Sequence, residues 1–227
     1  MKCSRVAFLS FIFAVASLFF AAACASAAHA QADHGQAAGA QSKSAQIDIG
    51  GGFYEAFSKG TAGNGTQQSA SNNVGGMFEL RYLKSRMLGV GMSYSINPTT
   101  QTFAPNGSYP TCGVTCANTP VSLSAYAGQL TFEWVPSMQI GKIRPYGIAG
   151  VGMMMTMGSY SLFVVNDTFK PDLVGGGGVD YSLTPRFGLR AQYRFSRFKA
   201  PNLATPYPAT GAYTYYSEPI GGVFYIF

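Results

Sequence analysis

The sequence predicts an all-β fold, an eight-stranded antiparallel up-and-down barrel that crosses a membrane with strands. Three observations carry this. Eight segments between Gln46 and Phe227 alternate apolar with polar or small side chains at period two, which marks a strand with two unlike faces. The connections between them differ in length in a regular short and long order. Composition agrees: only 11% of residues are charged, while Gly, Tyr and Phe number 28, 14 and 17, and Glu, Lys and Leu are too few for a helical domain.

The start of the chain bears on destination. Lys2 and Arg5 precede an uncharged apolar run from Val6 to about Ala23, followed by small residues, and residues 1–32 therefore read as a secretory signal peptide. Cleavage is expected after Ala27, Ala30 or Ala32, with the last two favoured. A retained anchor would need about twenty apolar residues and a flanking stop signal. Acylation at Cys24 would want Leu within the preceding Ala21-Ala22-Ala23. Beyond this segment no apolar run reaches about eighteen residues, so no further membrane helix is available. Residues 33–45 are small and polar without periodicity and read as a flexible periplasmic leader. Residues 46–227 are the barrel, one domain by length.

Each strand shows its two faces. The first, 46–57, sets Ile47, Ile49, Phe53 and Phe57 against Asp48, Tyr54 and glycines. The second, 73–83, sets Val74, Phe78, Leu80 and Tyr82 against Met77, Glu79 and Arg81. The third, 87–96, sets Leu88, Val90, Met92, Tyr94 and Ile96 against Gly89, Gly91, Ser93 and Ser95. In the fourth, 123–134, Tyr126, Leu130, Phe132 and Trp134 oppose Gln129, Thr131 and Glu133. The fifth, 144–155, sets Tyr146, Ile148 and Met154 against smaller residues. The sixth, 170–182, sets Leu173, Val179 and Tyr181 against Asp180. The seventh, 186–198, sets Phe187, Leu189, Ala191, Tyr193 and Phe195 against Arg190, Gln192 and Arg194. The eighth runs from about Ser217 to the end, with Val223, Tyr225 and Phe227 on one face.

Connections are long at 58–72, 97–120 and 199–216, medium at 157–168, and short at 84–86, 135–143 and 183–185. Bacterial outer-membrane barrels have short periplasmic turns and longer outer loops, so the first strand starts and the last ends in the periplasm. Outward rings then fall at the periplasmic strand ends at Tyr82, Trp134, Tyr146, Tyr181, Phe187 and Phe227, and toward the other rim at Phe57, Tyr94 and Phe195, as girdles should. A secreted β-sandwich also alternates, but has no reason to turn aromatic side chains outward at matching heights. Slipping the seventh strand by one residue would put Arg190 and Arg194 into lipid at roughly 2–4 kcal/mol each near the midplane.

The inward face carries the charges. An eight-stranded barrel is just wide enough for side chains to fill, and an unpaired ion in a partly dry interior costs several kcal/mol. A packed network is expected, centred on Arg190 and Arg194 with Arg81, Glu79, Glu133 and Asp180. It would plug the lumen; a gated path for ions or small solutes is the alternative. Catalysis is not expected, because acid-base or nucleophilic chemistry needs a positioned base, and the only histidines, His29 and His34, lie at the cleavage region and in the leader. No cofactor and no metal site is expected. Cys112 and Cys116, four apart in the second outer loop of an exported chain, are expected to form a disulfide; two thiols alone would leave a zinc site half empty. Removing Lys2 and Arg5 leaves 13 basic side chains against 9 acidic, a net +4 spread along the chain, and nucleic acid as a partner is set aside.

Through Pro145-Tyr-Gly-Ile-Ala-Gly-Val-Gly152 and Gly177-Gly-Val-Asp-Tyr-Ser-Leu-Thr-Pro-Arg-Phe-Gly-Leu-Arg-Ala-Gln-Tyr-Arg194, with the terminal Phe, the chain resembles the small outer-membrane β-barrel family. That family includes the transmembrane domain of outer-membrane protein A and the opacity-type and X-type barrels. The resemblance covers residues 46–227 and implies the outer membrane as location, with outer-membrane lipid and lipopolysaccharide as surroundings. It also implies that Val223, Tyr225 and Phe227 serve as the signal read by the barrel-assembly machinery. No peptidoglycan-binding domain follows the last strand, so cell-wall anchoring is not expected. The charged lumen differs from the apolar interior of W-type barrels, which weighs against a channel for hydrophobic compounds. The expected role is structural or surface-interacting, through polar, Tyr-bearing outer loops that can hold an extracellular ligand, by a monomer. A narrow pore is the runner-up and a lipid-modifying enzyme a distant third.

Overall fold

The computed structural model describes residues 45–106, 120–158, 167–203 and 207–227. Every regular element among them is a strand: β1 (Gln46–Ser58), β2 (Thr61–Gly63), β3 (Thr66–Ala70), β4 (Asn73–Leu83), β5 (Gly89–Pro105), β6 (Val121–Trp134), β7 (Ile143–Gly158), β8 (Thr168–Ser182), β9 (Phe187–Lys199) and β10 (Tyr213–Ile226). Eight of these, all but β2 and β3, pair antiparallel with sequence neighbours. The β1–β10 and β5–β6 ladders close the ring, which leaves its eight strands without an edge.

The register fixes the barrel's geometry. Stepping at right angles to the strands from Phe57, the ladders lead through Ser217, Phe195, Gly175, Ala149, Trp134, Val90 and Tyr82 to Ile47, ten residues earlier on the same strand. Eight strands with that stagger tilt by roughly 35–45° and leave an interior that side chains fill. Leu189, Tyr193 and Phe195 on β9 face out, while Arg190 and Arg194 between them are buried, so β9 sits in the register that keeps its arginines out of lipid.

One strand reverses the expected faces. Tyr146, Ile148 and Met154 on β7 are buried inside, while Ile143, Val151 and Met153 face out. The reason is Arg144, which shares the parity of Tyr146 and pairs across the ladder with inward Asp180. Turning Tyr146 outward would carry Arg144 to the lipid side and strip it from Asp180 and Asp48, and breaking such a buried pair costs about 3–5 kcal/mol. Tyr146 therefore leaves the short-turn girdle, in which Trp134, Tyr181, Phe187 and Phe227 stay outward.

The wall also rises further than the alternation suggested. β5 and β6 stay paired from Val90–Trp134 to Phe103–Val121, longer than the 9–11 residues a strand needs to cross a bilayer. Where β4 ends on β5 at Gly76–Ile96, β3 continues the same edge from Ala70–Gln101 to Thr66–Pro105. The β2–β3 hairpin turns at Asn64 and Gly65, with φ of 49° and 74°, the left-handed pair that a two-residue hairpin turn requires.

Candidate functional site

The barrel interior holds two ionic groups at different heights. Nearer the short-turn rim, Arg190 of β9 is the hub. Its Nε donates to Asp180 Oδ1 at 2.8 Å, Nη1 to Glu79 Oε2 at 2.7 Å and Nη2 to Asp48 Oδ1 at 3.0 Å, joining β8, β4 and β1 across the lumen. Arg144 closes the ring from β7, donating through Nη2 to Asp180 Oδ2 at 2.6 Å and Asp48 Oδ2 at 2.9 Å. Arg81 Nη2 donates to Glu79 Oε2 at 3.0 Å and Gln192 Oε1 at 2.7 Å, with its guanidinium 4.2 Å from the centroid of the Tyr146 ring. Tyr146 Oη donates to the same Gln192 oxygen at 2.7 Å, and Gln192 Nε2 donates to Glu79 Oε1 at 3.1 Å. Three guanidinium groups thus meet three carboxylates with no charge left over. All six residues are buried.

Higher in the lumen the ions are tied through neutral groups. Arg194, fully buried at 0% exposure, donates to Met77 Sδ, Ser93 Oγ and Gln129 Oε1, each at 2.9 Å. Ser93 Oγ donates at 2.9 Å and Thr131 Oγ1 at 2.7 Å to Glu133 Oε1, so Arg194 reaches that carboxylate mainly through a hydroxyl. Its direct ionic contacts are longer, 3.7 Å to Glu133 and 3.8 Å to Glu218. Asp172 accepts from Gln129 Nε2, which also donates to Ser196 Oγ at 2.8 Å. Above this layer Phe198 meets Tyr216 edge-on with centroids 5.0 Å apart, in an apolar cluster that includes Tyr54, Met77 and Ile220. Gly75 is small for a reason here, since a Cβ would fall 2.6 Å from the Tyr54 ring.

All six sequence-predicted lumen residues, Glu79, Arg81, Glu133, Asp180, Arg190 and Arg194, point inward and are buried. They divide between two groups. Glu79, Arg81, Asp180 and Arg190 join the lower one with Asp48, while Arg194 and Glu133 belong to the upper. Three participants were missed: Arg144, Asp172 and Glu218. Arg144 stands at the start of its strand, Glu218 at the start of the eighth strand as read from about Ser217, and Asp172 follows Pro171 in a stretch read for its outward Leu173; for Asp172, parity with Asp180 was the available signal. Val223, Tyr225 and Phe227 face outward, and Tyr225 packs edge-on against Phe227 at 5.2 Å. The expected Cys112–Cys116 pair, the signal segment, the leader up to Ser44 and both histidines lie outside the described residues. Among the described residues no group of three or more His, Cys, Asp or Glu is placed to hold a metal ion.

Above the barrel, the extended wall carries its own small core. Phe103, Leu123, Ala125, Leu203 and Tyr207 form a second apolar cluster, with Phe103 stacked on Tyr207 at 6.3 Å. The β2–β3 hairpin is tied into it: Gln68 Nε2 donates to Gln101 Oε1 at 3.1 Å and the Pro201 carbonyl at 2.9 Å, and Asn64 Nδ2 donates to the Ala209 carbonyl at 2.8 Å. Three of the long connections thereby contribute to one built platform.

Comparison with known proteins follows the fold. The family model described as "Outer membrane protein beta-barrel domain" matches residues 12–216. The attachment invasion locus protein Ail of Yersinia pestis, solved with the heparin analogue sucrose octasulfate, superposes with a TM-score of 0.51 at 16% identity, covering 81% of this chain and 99% of that one. The outer membrane protein OprG of Pseudomonas aeruginosa superposes with a TM-score of 0.50 at 14% identity, covering 80% and 95%. At such identities the likeness is one of fold. No curated protein matches the chain by sequence.

Proposed function

This chain belongs to the outer-membrane protein β-barrel family, and from that premise we propose that it works at the cell surface, as a sealed barrel that presents a folded platform to extracellular partners. The observation that carries this reading is the platform itself. β5 and β6 run on past the length a membrane requires, β3 extends their sheet, a second apolar cluster packs Leu203 and Tyr207 against β5 and β6, and hydrogen bonds from Asn64 and Gln68 tie the hairpin to Ala209 and Pro201. A wall built only to cross a bilayer has no use for these, whereas a binding surface gains by being ordered before its partner arrives. The ion pairs across the lumen support the other half of the reading, because Arg190 and Arg144 occupy the space a solute would need. Catalysis plays no part in this reading.

The test is a replacement of residues 60–71 by a short Gly-Ser turn in the full chain displayed on a non-adherent Gram-negative host. Adhesion to an extracellular-matrix layer and retention of serum proteins are then scored against the unaltered chain. Loss of both, with the heat-dependent gel shift of a folded barrel retained, supports the platform reading. Equal adhesion and retention by the two chains would refute it.

A further inference from the structure

The platform is built without charge. Segments 60–73, 97–126 and 200–212, which supply it, contain no Asp, Glu, Lys, Arg or His, although the usual quarter of charged residues would place roughly a dozen there. The outward cations Lys59, Arg197 and Lys199 stand at its foot, on β9 and just past the end of β1. Neutrality narrows the choice of partner. Electrostatic complementarity steers and selects a charged ligand, and laying ions on a surface without counter-charges strips their water for no return.

One face of the platform is a regular array of hydroxyls. Above the point where β4 leaves β5 at Gly76–Ile96, Ser69 pairs with Thr102 and Thr102 with Ser122, so three outward hydroxyls share one row across β3, β5 and β6. Thr100 and Ser124 share the row below. Thr102 Oγ1 and Ser122 Oγ lie 3.0 Å apart in a hydrogen bond that either can donate, which leaves both oxygens able to take another partner. Neighbouring strands stand about 4.8 Å apart, so hydroxyls recur along a row at that step. At the lower edge Pro98 pairs with Tyr126, whose side chain is 54% exposed. The opposite face of the same strands is Phe103, Leu123 and Ala125 in the second apolar cluster. That backing orders the array before a ligand arrives.

We propose that Ser69, Thr100, Thr102, Ser122 and Ser124, with Tyr126 at their edge, bind an extended, uncharged glycan on the surface of another cell. This rests on the platform reading and names the chemistry of its partner. A sugar hydroxyl both donates and accepts, as Ser and Thr do, and an extended β-linked chain repeats at close to the spacing of strands, so successive units meet successive strands. The ring of Tyr126 offers its apolar face to the C–H side of a sugar. A protein partner fits this face less well, because protein interfaces centre on aromatic, Met and Arg side chains and are poor in Ser, whereas Tyr126 is the one large exposed apolar side chain here among the described residues. A phosphorylated or sulfated glycan fits less well again, for want of a cation in the array.

Calorimetric titration of the full chain, purified in a detergent without a sugar headgroup, tests this with two probes: chitohexaose, which is neutral and β-linked, and a heparin-derived hexasaccharide of similar length. Chitohexaose is expected to bind roughly tenfold tighter than the sulfated probe, with an affinity that moves by less than about twofold between low and high salt. The double substitution Thr102→Val, Ser122→Ala should weaken chitohexaose roughly tenfold, on the usual net worth of two neutral hydrogen bonds. Lys59→Gln, Arg197→Gln should leave it intact. If the double variant loses the gel shift of a folded barrel, Ser124→Ala alone should weaken binding by a smaller factor. Absence of chitohexaose binding, equal or tighter binding of the sulfated probe, or an affinity unchanged by removal of the hydroxyls would overturn the proposal. The adhesion assay separates this inference from the platform reading: adhesion lost on replacing residues 60–71 but kept by Thr102→Val, Ser122→Ala overturns the glycan site and leaves a platform with a protein partner.

Discussion

The two halves of the lumen solve the same problem differently. In the lower half Arg81, Arg144 and Arg190 face Asp48, Glu79 and Asp180, and the ionic contacts run from 2.6 to 3.0 Å. In the upper half Arg194 is the one guanidinium near Glu133, Glu218 and Asp172, its ionic contacts lengthen to 3.7 and 3.8 Å, and serine, threonine and glutamine take up the hydrogen bonding. The lower half is a balanced lock: each charge has its opposite in direct contact, and the guanidinium fork satisfies two strands at once. The upper half is a softer packing in which neutral groups carry most contacts. Strand-to-strand bracing by charge is therefore concentrated below, and stability should follow that division.

Removing the members of each half in turn, with unfolding in urea followed through Trp134, tests this division; Trp134 is the single tryptophan and lies outward at the short-turn rim. The largest loss is expected for Arg190→Met, which leaves Asp180, Glu79 and Asp48 short of their shared partner; breaking such a buried pair costs about 3–5 kcal/mol. Arg194→Met should cost less, about 1–3 kcal/mol, since its ionic contacts are already long and Glu133 keeps the hydrogen bonds of Ser93 and Thr131, while Ser93 and Gln129 each lose a donor. A cost equal to or above that of Arg190→Met would erase the distinction between the halves. Tyr146→Phe removes one hydrogen bond to Gln192 while keeping the ring beneath Arg81, at about 1 kcal/mol. The smallest change, under about 1 kcal/mol in either direction, is expected for Glu218→Gln, because the desolvation cost of this buried charge offsets its one long contact.

The sequence was most legible where the two faces of a strand differ most. β9 alternates arginine and glutamine with leucine and aromatic residues, so its register could be read from cost alone. β7 could not be read the same way. Val151 and Met153 on one side and Ile148 and Met154 on the other are equally apolar, and the deciding side chain, Arg144, sits at the very start of the strand. The upper part of β5 was hidden for a different reason. Once a wall leaves the membrane, water replaces lipid outside, and the run Pro98-Thr-Thr-Gln-Thr102 looks like a loop because both faces are polar. Asn64-Gly65 is the residue pair a two-residue hairpin turn favours, yet 58–72 reads as a loop because the flanking strands are short and carry no apolar alternation. The partners within the lumen were beyond reading: Arg190 meets Asp48 across 142 positions, a match made by barrel closure and not by spacing.

Outside the barrel, the same contrast between charge and neutral polarity recurs with another purpose. The platform above the membrane is held by amides, backbone carbonyls and apolar rings, while the cations of the outer wall gather at Lys59, Arg197 and Lys199.

A lumen closed by direct ion pairs should not pass solutes, and planar-bilayer recording of the purified, full-length mature protein tests that most directly. No stable single-channel steps of porin size are expected at neutral pH and moderate salt. Such steps, reproducible from preparations that show the gel shift of a folded barrel, would contradict it.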